Sequence, residues 1–203
     1  AEKIRKVSLE LSSQGYRILG VAKAAIPSDG NFPESQDDFK WTYLGLVALL
    51  NPPKPNAKDV VAGFYSAGIS VKMITGDFSE TASAIAGMVG ISESQKVLTG
   101  DEVMAMPDKE LEAQLHSVNV YARMFPDAKL RIVNTFKKMG EVVAMTGDGV
   151  NDGPALKSAN IGVAMGKRGT EVARQAASLV LVNDDLMGRL DAISLGRKIY
   201  LNL

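Results

Sequence analysis

The fold is decided by the stretch Met145-Thr146-Gly147-Asp148-Gly149-Val150-Asn151-Asp152-Gly153-Pro154-Ala155-Leu156. Its first residue closes an apolar segment, Val142-Val143-Ala144-Met145, which predicts a buried strand. Pro154 is suited to the first turn of a helix, where its missing N–H needs no partner. Two acids and an amide therefore lie on a tight turn between a strand and a helix. In an open α/β sheet, such turns line the ligand crevice at the carboxyl ends of the strands.

The acidic residues of this turn predict a magnesium site. Asp148 and Asp152 are four residues apart, and Asn151 stands beside Asp152. Mg²⁺ prefers oxygen ligands and usually takes one or two carboxylates, leaving its other positions to water and phosphate. Gly-Asp-Gly alone is an ordinary turn sequence, so the prediction depends on the strand before it and the helix after it.

Composition places the chain among folded globular proteins. Of its 203 residues, 46% are hydrophobic, which is enough for a packed core. The chain has 23 Lys and Arg and 23 Asp and Glu, so its net charge is zero and gives no indication of a nucleic-acid partner. The absence of cysteine removes disulfides and thiolate chemistry. The longest apolar stretch, near residues 44–50, is far below the roughly 18 residues of a membrane span, so we expect a soluble chain.

Strand and helix patterns alternate from residue 56 onward, and buried, non-alternating strands predict an α/β fold with a doubly wound parallel sheet. Before that point we expect a helix over 2–13, a strand over 16–26, a polar loop over 27–40 and a buried strand over 41–50. Asn51-Pro52-Pro53-Lys54-Pro55 contains three prolines, which forbid a strand and predict a domain junction. The later predicted helices cover 56–67, 79–89, 107–115, 126–139, 154–159, 170–176 and the chain from 186, and the strands cover 71–75, 118–122, 142–146, 161–165 and 179–182.

Two further motifs follow predicted strands. Thr75-Gly76-Asp77 offers a hydroxyl and the N–H groups of a helix start, which suit a phosphate. Arg123-Met124-Phe125-Pro126-Asp127-Ala128-Lys129 places Lys129 one turn into a helix, where a fixed ammonium would neutralise phosphate charge. Thr-Gly-Asp also occurs at 99–101, and we interpret that copy as turn and capping chemistry.

These motifs carry a family resemblance. The run from Met145, continued by Ser158-Ala159-Asn160-Ile161-Gly162-Val163-Ala164-Met165-Gly166, resembles the hinge motif of P-type ATPases, cation pumps that phosphorylate their own aspartate. More broadly, it resembles the last motif of the haloacid-dehalogenase-like fold, which is Rossmann-like. The Arg-x-x-Pro-x-x-Lys spacing of 123–129 is similar to the pump pattern, and Gly15-Tyr16-Arg17-Ile18-Leu19-Gly20-Val21-Ala22 is similar to the end of the pumps' nucleotide-binding domain.

Three positions depart from the pump pattern. Gly153 stands where these pumps more often carry Ala, and we expect little effect. Asn51 and Lys54 replace the acid and the arginine of the hinge sequence Asp-Pro-Pro-Arg, which removes the charge of the hinge acid. The double proline itself favours the calcium-type branch of the family.

The resemblance implies roles for individual residues and for ligands. It implies Mg²⁺ and ATP as cofactors, and a transported cation and the rest of the pump polypeptide as partners. It places the parent protein in a membrane, with this segment on the cytoplasmic side. The implied catalytic residues are Thr75, Lys129, Asp148 and Asp152, the metal ligands are Asp148 and Asp152, and the nucleotide contacts are Arg17, Thr75, Gly76, Asp77, Arg123, Lys129 and Asn151.

The family's nucleophile is the aspartate of Asp-Lys-Thr-Gly-Thr after an apolar strand, and this sequence does not occur here. We therefore expect a fragment of an ATP-driven cation pump that forms an aspartyl-phosphate intermediate, inactive by itself. Two alternatives stay open: a soluble haloacid-dehalogenase-like phosphatase, which needs the same nucleophile, and a non-catalytic Mg²⁺- or nucleotide-binding module. The expected domains are the C-terminal part of a nucleotide-binding domain (1–50), a hinge (51–55), a phosphorylation domain lacking its nucleophile strand (56–190) and the start of a stalk helix (191–203).

Overall fold

The computed structural model describes residues 2–25 and 33–202. Its first part contains helix α1 (Glu2–Ser13) and an antiparallel strand pair, β1 (Arg17–Lys23) and β2 (Thr42–Leu49). Gly15 takes a φ of +88° between α1 and β1, a conformation that glycine adopts readily. Strand β1 is shorter than the strand predicted over 16–26. Position 26 and positions 27–32 of the predicted loop lie outside the described residues.

The prediction that the strand over 41–50 is buried is wrong. β2 is exposed over most of its length, with Leu44 57% and Leu49 49% accessible. Within the described residues, β1 and β2 pair only with each other. A ribbon of two strands cannot bury both of its faces, so its apolar composition did not decide its burial.

The middle of the chain builds a parallel sheet of three strands in the order β3-β5-β4. Val120 of the central strand pairs with Met73 on one side and Val97 on the other. One strand, β4, was not predicted, because three residues are too few to show a period. The elements are α2 (Ala57–Ser66), β3 (Met73–Ile74), α3 (Ser79–Met88), β4 (Val97–Thr99), α4 (Gly100–Ala105), α5 (Asp108–Ser117), β5 (Val120–Ala122) and α6 (Pro126–Lys138).

The last part of the chain builds a second parallel sheet of three strands in the order β6-β7-β8. Ala144 pairs with Ile161, and Val163 pairs with Leu179. The elements are β6 (Ala144–Gly147), α7 (Gly153–Ser158), β7 (Ile161–Met165), α8 (Glu171–Ala176), β8 (Leu179–Leu181) and α9 (Met187–Leu201). No helix within residues 2–25 and 33–202 is both long enough and apolar enough to cross a membrane.

Helices cover both faces of the first sheet, as alternate residues of β5 show. Tyr121 is fully buried against Leu111 and Leu115 of α5. Its neighbours Val120 and Ala122 join the opposite core cluster, together with residues of α2 and α3. Parallel strands between two helical layers confirm the predicted doubly wound α/β fold, although the strands are divided between two sheets.

The edges of the two sheets meet at one core. The N–H groups of Met73 and Thr75 donate to the carbonyls of Asn119 and Tyr121, so the backbone of Ile74 is directed away from β5. The side chain of Ile74 packs against the core cluster that contains Met145 of β6. Among the described strands, however, β3 pairs only with β5 and β6 pairs only with β7. Each sheet therefore keeps an open edge on the side of this shared core.

The proline-rich segment 51–55 is anchored to the end of the second sheet. The ammonium of Lys54 donates to the backbone carbonyl of Asp184, and the amide of Asn56 donates to Asp185 at 3.3 Å. These two acids lie between β8 and α9, so the segment that leaves the ribbon is tied to the start of the last helix.

Asp184 also holds the loop that follows β7. Its two carboxylate oxygens accept the backbone N–H groups of Lys167 and Arg168, each at 3.0 Å. Burial by itself would raise the pKa of Asp184, but these donors and the N–H of Gly166 outweigh it, so the pKa is lowered from its ordinary value.

Candidate functional site

The site is organised around an ion pair between Lys129 and Asp152. Nζ of Lys129 lies 2.7 Å from Oδ1 of Asp152, and the two side chains are 12% and 11% accessible. Lys129 lies in the first turn of α6, which begins at Pro126. Asp152 ends a 3₁₀ turn that follows β6. Because both groups are largely removed from water, neither can lose its partner without leaving a buried, unpaired charge.

Both oxygens of the Asp152 carboxylate are engaged. Oδ1 accepts from Lys129, and Oδ2 accepts the backbone N–H of Gly149 at 3.2 Å. Gly147 permits this packing, because a Cβ at position 147 would overlap Cβ of Asp152. Asp152 therefore joins the turn after β6 to α6. Its implied role as a metal ligand stays a prediction.

Asp148 lies on the same turn but faces solvent, as does Asn151. The backbone carbonyl of Asp148 accepts the N–H of Thr170 at 2.8 Å, which fixes the turn against the start of α8. An exposed carboxylate on a fixed turn fits Mg²⁺, which binds through one or two carboxylates and retains water. Within the described part of the chain, no cluster of three or more Asp, Glu, His or Cys side chains could enclose a metal. A Mg²⁺ bound here would thus take further oxygens from water or phosphate.

Thr75, Gly76 and Asp77 form the turn between β3 and α3. The hydroxyl of Thr75 donates to Oδ2 of Asp77 at 3.0 Å and accepts the N–H of Asp77 at 3.1 Å. Gly76 is exposed at the tip of the turn. The hydroxyl and the acid therefore hold each other within the turn. Thr75 can donate to a phosphate oxygen only after it releases the carboxylate of Asp77.

Two arginines border this turn. Nε of Arg17 lies 4.0 Å from Oδ1 of Asp77, and with side chains 70% and 33% accessible this ion pair is weak. The backbone N–H of Arg123 donates to the carbonyl of Asp77 at 2.8 Å. The guanidinium of Arg123 lies over the ring of Phe78, with Cζ 4.1 Å from the centroid.

One segment, residues 123–129, joins the two halves of the site. At its start, Arg123 donates to Asp77, and Met124 donates to the carbonyl of Thr75 at 2.9 Å. At its end, Lys129 pairs with Asp152. The structure thus gathers two groups of predicted residues, one at each end of this segment. At its start are Thr75, Gly76, Asp77, Arg17 and Arg123, and at its end are Lys129, Asp148, Asn151 and Asp152.

Two contributors were missed by the reasoning from sequence. Thr170 caps α8 by accepting the N–H of Ala173, and its own N–H holds Asp148. A threonine before a helical pattern is a readable signal for such a cap. The role of Phe78 could not be predicted from the sequence. The arginine that lies over its ring is 45 positions later, and an aromatic residue after Thr-Gly-Asp does not indicate that contact.

This chain is similar to known proteins over most of its length. A family model described as haloacid dehalogenase-like hydrolase matches residues 17–160, which include Thr75, Lys129, Asp148 and Asp152. The match therefore covers both halves of the site, the whole of the first parallel sheet and strand β6 of the second.

Curated relatives are similar over nearly the whole chain. A calcium-transporting ATPase of Listeria monocytogenes is 40% identical over 99% of this chain, and Calcium-transporting ATPase 1 of Saccharomyces cerevisiae is 42% identical over 98%. The probable cation-transporting ATPase F of Mycobacterium tuberculosis is 45% identical over 95%. The chain spans 23%, 21% and 22%, respectively, of the lengths of these relatives.

Proposed function

The chain belongs to the haloacid dehalogenase-like hydrolase family, and from that premise we propose that it forms the phosphorylation domain of an ATP-driven cation pump. The observation that carries the proposal is the buried Lys129–Asp152 pair at the turn that bears Asp148. Its support is the similarity to calcium- and cation-transporting ATPases along nearly the whole chain. In this proposal residues 1–50 end a nucleotide-binding domain, 51–55 form the hinge, 56–190 form the phosphorylation domain and 191–203 begin a stalk helix.

Each side chain of the site has a defined task in this proposal. Asp152 holds the ammonium of Lys129 in one position, from which its remaining N–H groups face a phosphoryl group. The Thr75 hydroxyl donates to a second phosphoryl oxygen. Asp148, with Asp152 as the second implied ligand, would hold Mg²⁺, which would supply positive charge against the phosphate oxygens.

The second half of the site contacts the nucleotide. Arg17 and Arg123 supply positive charge beside the Thr75-Gly76-Asp77 turn, and the exposed Gly76 lets a ligand approach the backbone closely. Asn151 adds an amide on the opposite turn. In this proposal the two arginines neutralise the phosphates of ATP, and polar groups of the two turns contact the rest of the nucleotide.

We propose that a further parallel strand lies between β3 and β6 and carries the nucleophilic aspartate. The support is the pair of open sheet edges at the core that Ile74 and Met145 share. A strand inserted there would satisfy the backbone groups of both edges. Its carboxyl end would reach the turns that carry Thr75 and Asp148. The rest of the pump polypeptide would supply this strand.

Calcium is the cation that we propose for the pump, because two of the relatives described above are named calcium-transporting ATPases. The pump as a whole would lie in a membrane, with this chain on its cytoplasmic side. Uptake of radioactive calcium into vesicles that contain the full-length protein measures this directly. ATP-dependent uptake of another cation, without calcium uptake, would correct the choice of ion.

Phosphorylation by ATP labelled at the γ-phosphate tests the proposed function. The full-length protein should form an acid-stable phosphoenzyme that requires Mg²⁺, and Asp148→Asn should reduce it by at least about 100-fold. Asp101→Asn is the matched control, because Asp101 belongs to another Thr-Gly-Asp tripeptide and lies in the first turn of the capped helix α4. Phosphoenzyme that is absent from the wild type, or equally lost in both variants, would contradict the proposal.

A further inference from the structure

The backbone of Arg123 adopts an uncommon conformation. Its φ is +49°, in the left-handed region that a residue with a long side chain seldom enters. Such conformations persist where the surroundings enforce them, and they concentrate at ligand sites. Here the N–H of Arg123 donates to Asp77 and the N–H of Met124 donates to Thr75, so two hydrogen bonds hold this segment against the neighbouring turn.

The partner of the Arg123 side chain is an aromatic ring. Its Cζ lies 4.1 Å from the centroid of Phe78, the residue that directly follows Asp77. The ring of Phe78 is half exposed, and Arg123 is exposed as well. The carboxylate of Asp77, which directly precedes Phe78 in sequence, is hydrogen-bonded by Thr75 and lies 4.0 Å from Nε of Arg17.

Two other arginines of the described chain, Arg131 and Arg174, are bound to protein acceptors instead. Arg131 donates to the carbonyls of Val103 and Met106, and Arg174 donates to Gly169 and to the carboxylate of Glu171. In these guanidinium groups, N–H donors are bound to acceptors of the protein itself. A guanidinium that lies on a ring keeps the donors at its edge available.

We propose that Phe78 is a positioning residue that holds Arg123 ready for the phosphates of the nucleotide. A carboxylate partner would neutralise the arginine and compete with phosphate, whereas an aromatic face orients the cation and leaves its charge in place. The ring and the two backbone hydrogen bonds together set the guanidinium beside the Thr75–Asp77 turn. This inference rests on the proposed function, because it takes the nucleotide as the anionic ligand.

Steady-state ATP hydrolysis by the full-length protein tests this role. Phe78→Leu keeps an apolar side chain but removes the aromatic face, and it should raise the KM for MgATP roughly two- to fivefold, with a much smaller effect on kcat. Phe78→Trp keeps the face and should restore a KM close to that of the wild type. In an Arg123→Ala background, Phe78→Leu should add no further increase. An unchanged KM in Phe78→Leu, or an equal increase with and without Arg123, would overturn the proposal.

Binding of inorganic tripolyphosphate, followed by calorimetry on the full-length protein, separates this inference from the proposed function. It requires no turnover. Weaker tripolyphosphate binding in Phe78→Leu, recovered in Phe78→Trp, would support the positioning role even if the wild type hydrolysed no ATP, and only the pump assignment would then fail. If the protein hydrolyses ATP but Phe78→Leu changes neither the KM nor the affinity for tripolyphosphate, the pump assignment stands and the positioning role is overturned.

Discussion

Replacing Lys129 by methionine is the most direct test of the buried pair. Methionine keeps an unbranched side chain of similar reach but removes the charge. Among the described residues, the carboxylate of Asp152, 11% accessible, would then keep only the N–H of Gly149 as a hydrogen-bond donor. Removing one partner of a buried ion pair costs about 3–5 kcal/mol, since the other charge stays out of water. We expect the free energy of unfolding to fall by at least about 3 kcal/mol.

The geometry explains why this effect is larger than that of a surface pair. At 2.7 Å and an effective dielectric constant near 20, the attraction is about 6 kcal/mol before desolvation is subtracted. Asp152→Asn keeps the shape and an amide oxygen that can still accept from the Lys129 ammonium, so its cost should be smaller, about 1–3 kcal/mol. Lys129→Met combined with Asp152→Asn removes both charges and should be more stable than the sum of the single effects predicts.

Urea unfolding at pH 7, followed by far-ultraviolet circular dichroism, measures all three variants. Lys138→Met is the control, because Lys138 lies on the same helix and pairs with Asp108 and Glu112 at the surface. It should change the free energy of unfolding by no more than about 1 kcal/mol. If Lys129→Met lay within that same range, or if the double variant were strictly additive, the reasoning about a desolvated pair would be refuted.

Packing and pH dependence provide two further predictions. Gly147→Ala should destabilise the chain by more than about 2 kcal/mol, because the added methyl group overlaps Asp152, and Gly149→Ala, with 3.6 Å to Asp152, should cost less than about 1 kcal/mol. Equal costs in chemical denaturation would contradict the overlap. Because the pKa of Asp184 is lowered in the folded chain, its contribution to stability is present above the unfolded-state pKa of about 3.9 and is lost as pH falls through the folded pKa. Asp184→Asn should therefore flatten the acid side of the stability–pH profile, and an unaltered acid side would show that the carboxylate does not hold the loop after β7.

The order of strands and helices after residue 56 was predictable because its signals are local. Pro126 and Gly140 frame α6, whose observed end at Lys138 differs by one residue from the predicted end. Gly68 and Gly90, read as helix ends, both adopt the positive φ that such ends require. The prediction of capping chemistry at 99–101 is also confirmed, since Thr99 and Glu102 form a reciprocal cap on α4.

Burial of the first part was not predictable by the same means. The strand over 41–50 is as apolar as a core strand, yet Leu44 and Val47 are exposed. The composition of a strand shows whether it could pack in a core, but its burial depends on which other elements cover it in the fold. Division of the parallel strands into two sheets was equally out of reach, because sequence patterns do not state which edges pair.

The contacts of the site depend on long-range packing. Asp152 was predicted as a catalytic residue and a metal ligand, whereas its ion pair with a lysine 23 positions earlier became evident only in the fold. Ile132 of α6 packs into the core of the first sheet, whereas its neighbour Val133 packs into the core of the second. One helix therefore sets the position of Lys129 relative to both halves of the site. It follows that a change of side-chain volume at Val133 would shift Lys129 against Asp152 without touching either residue, because close-packed cores transmit such strain.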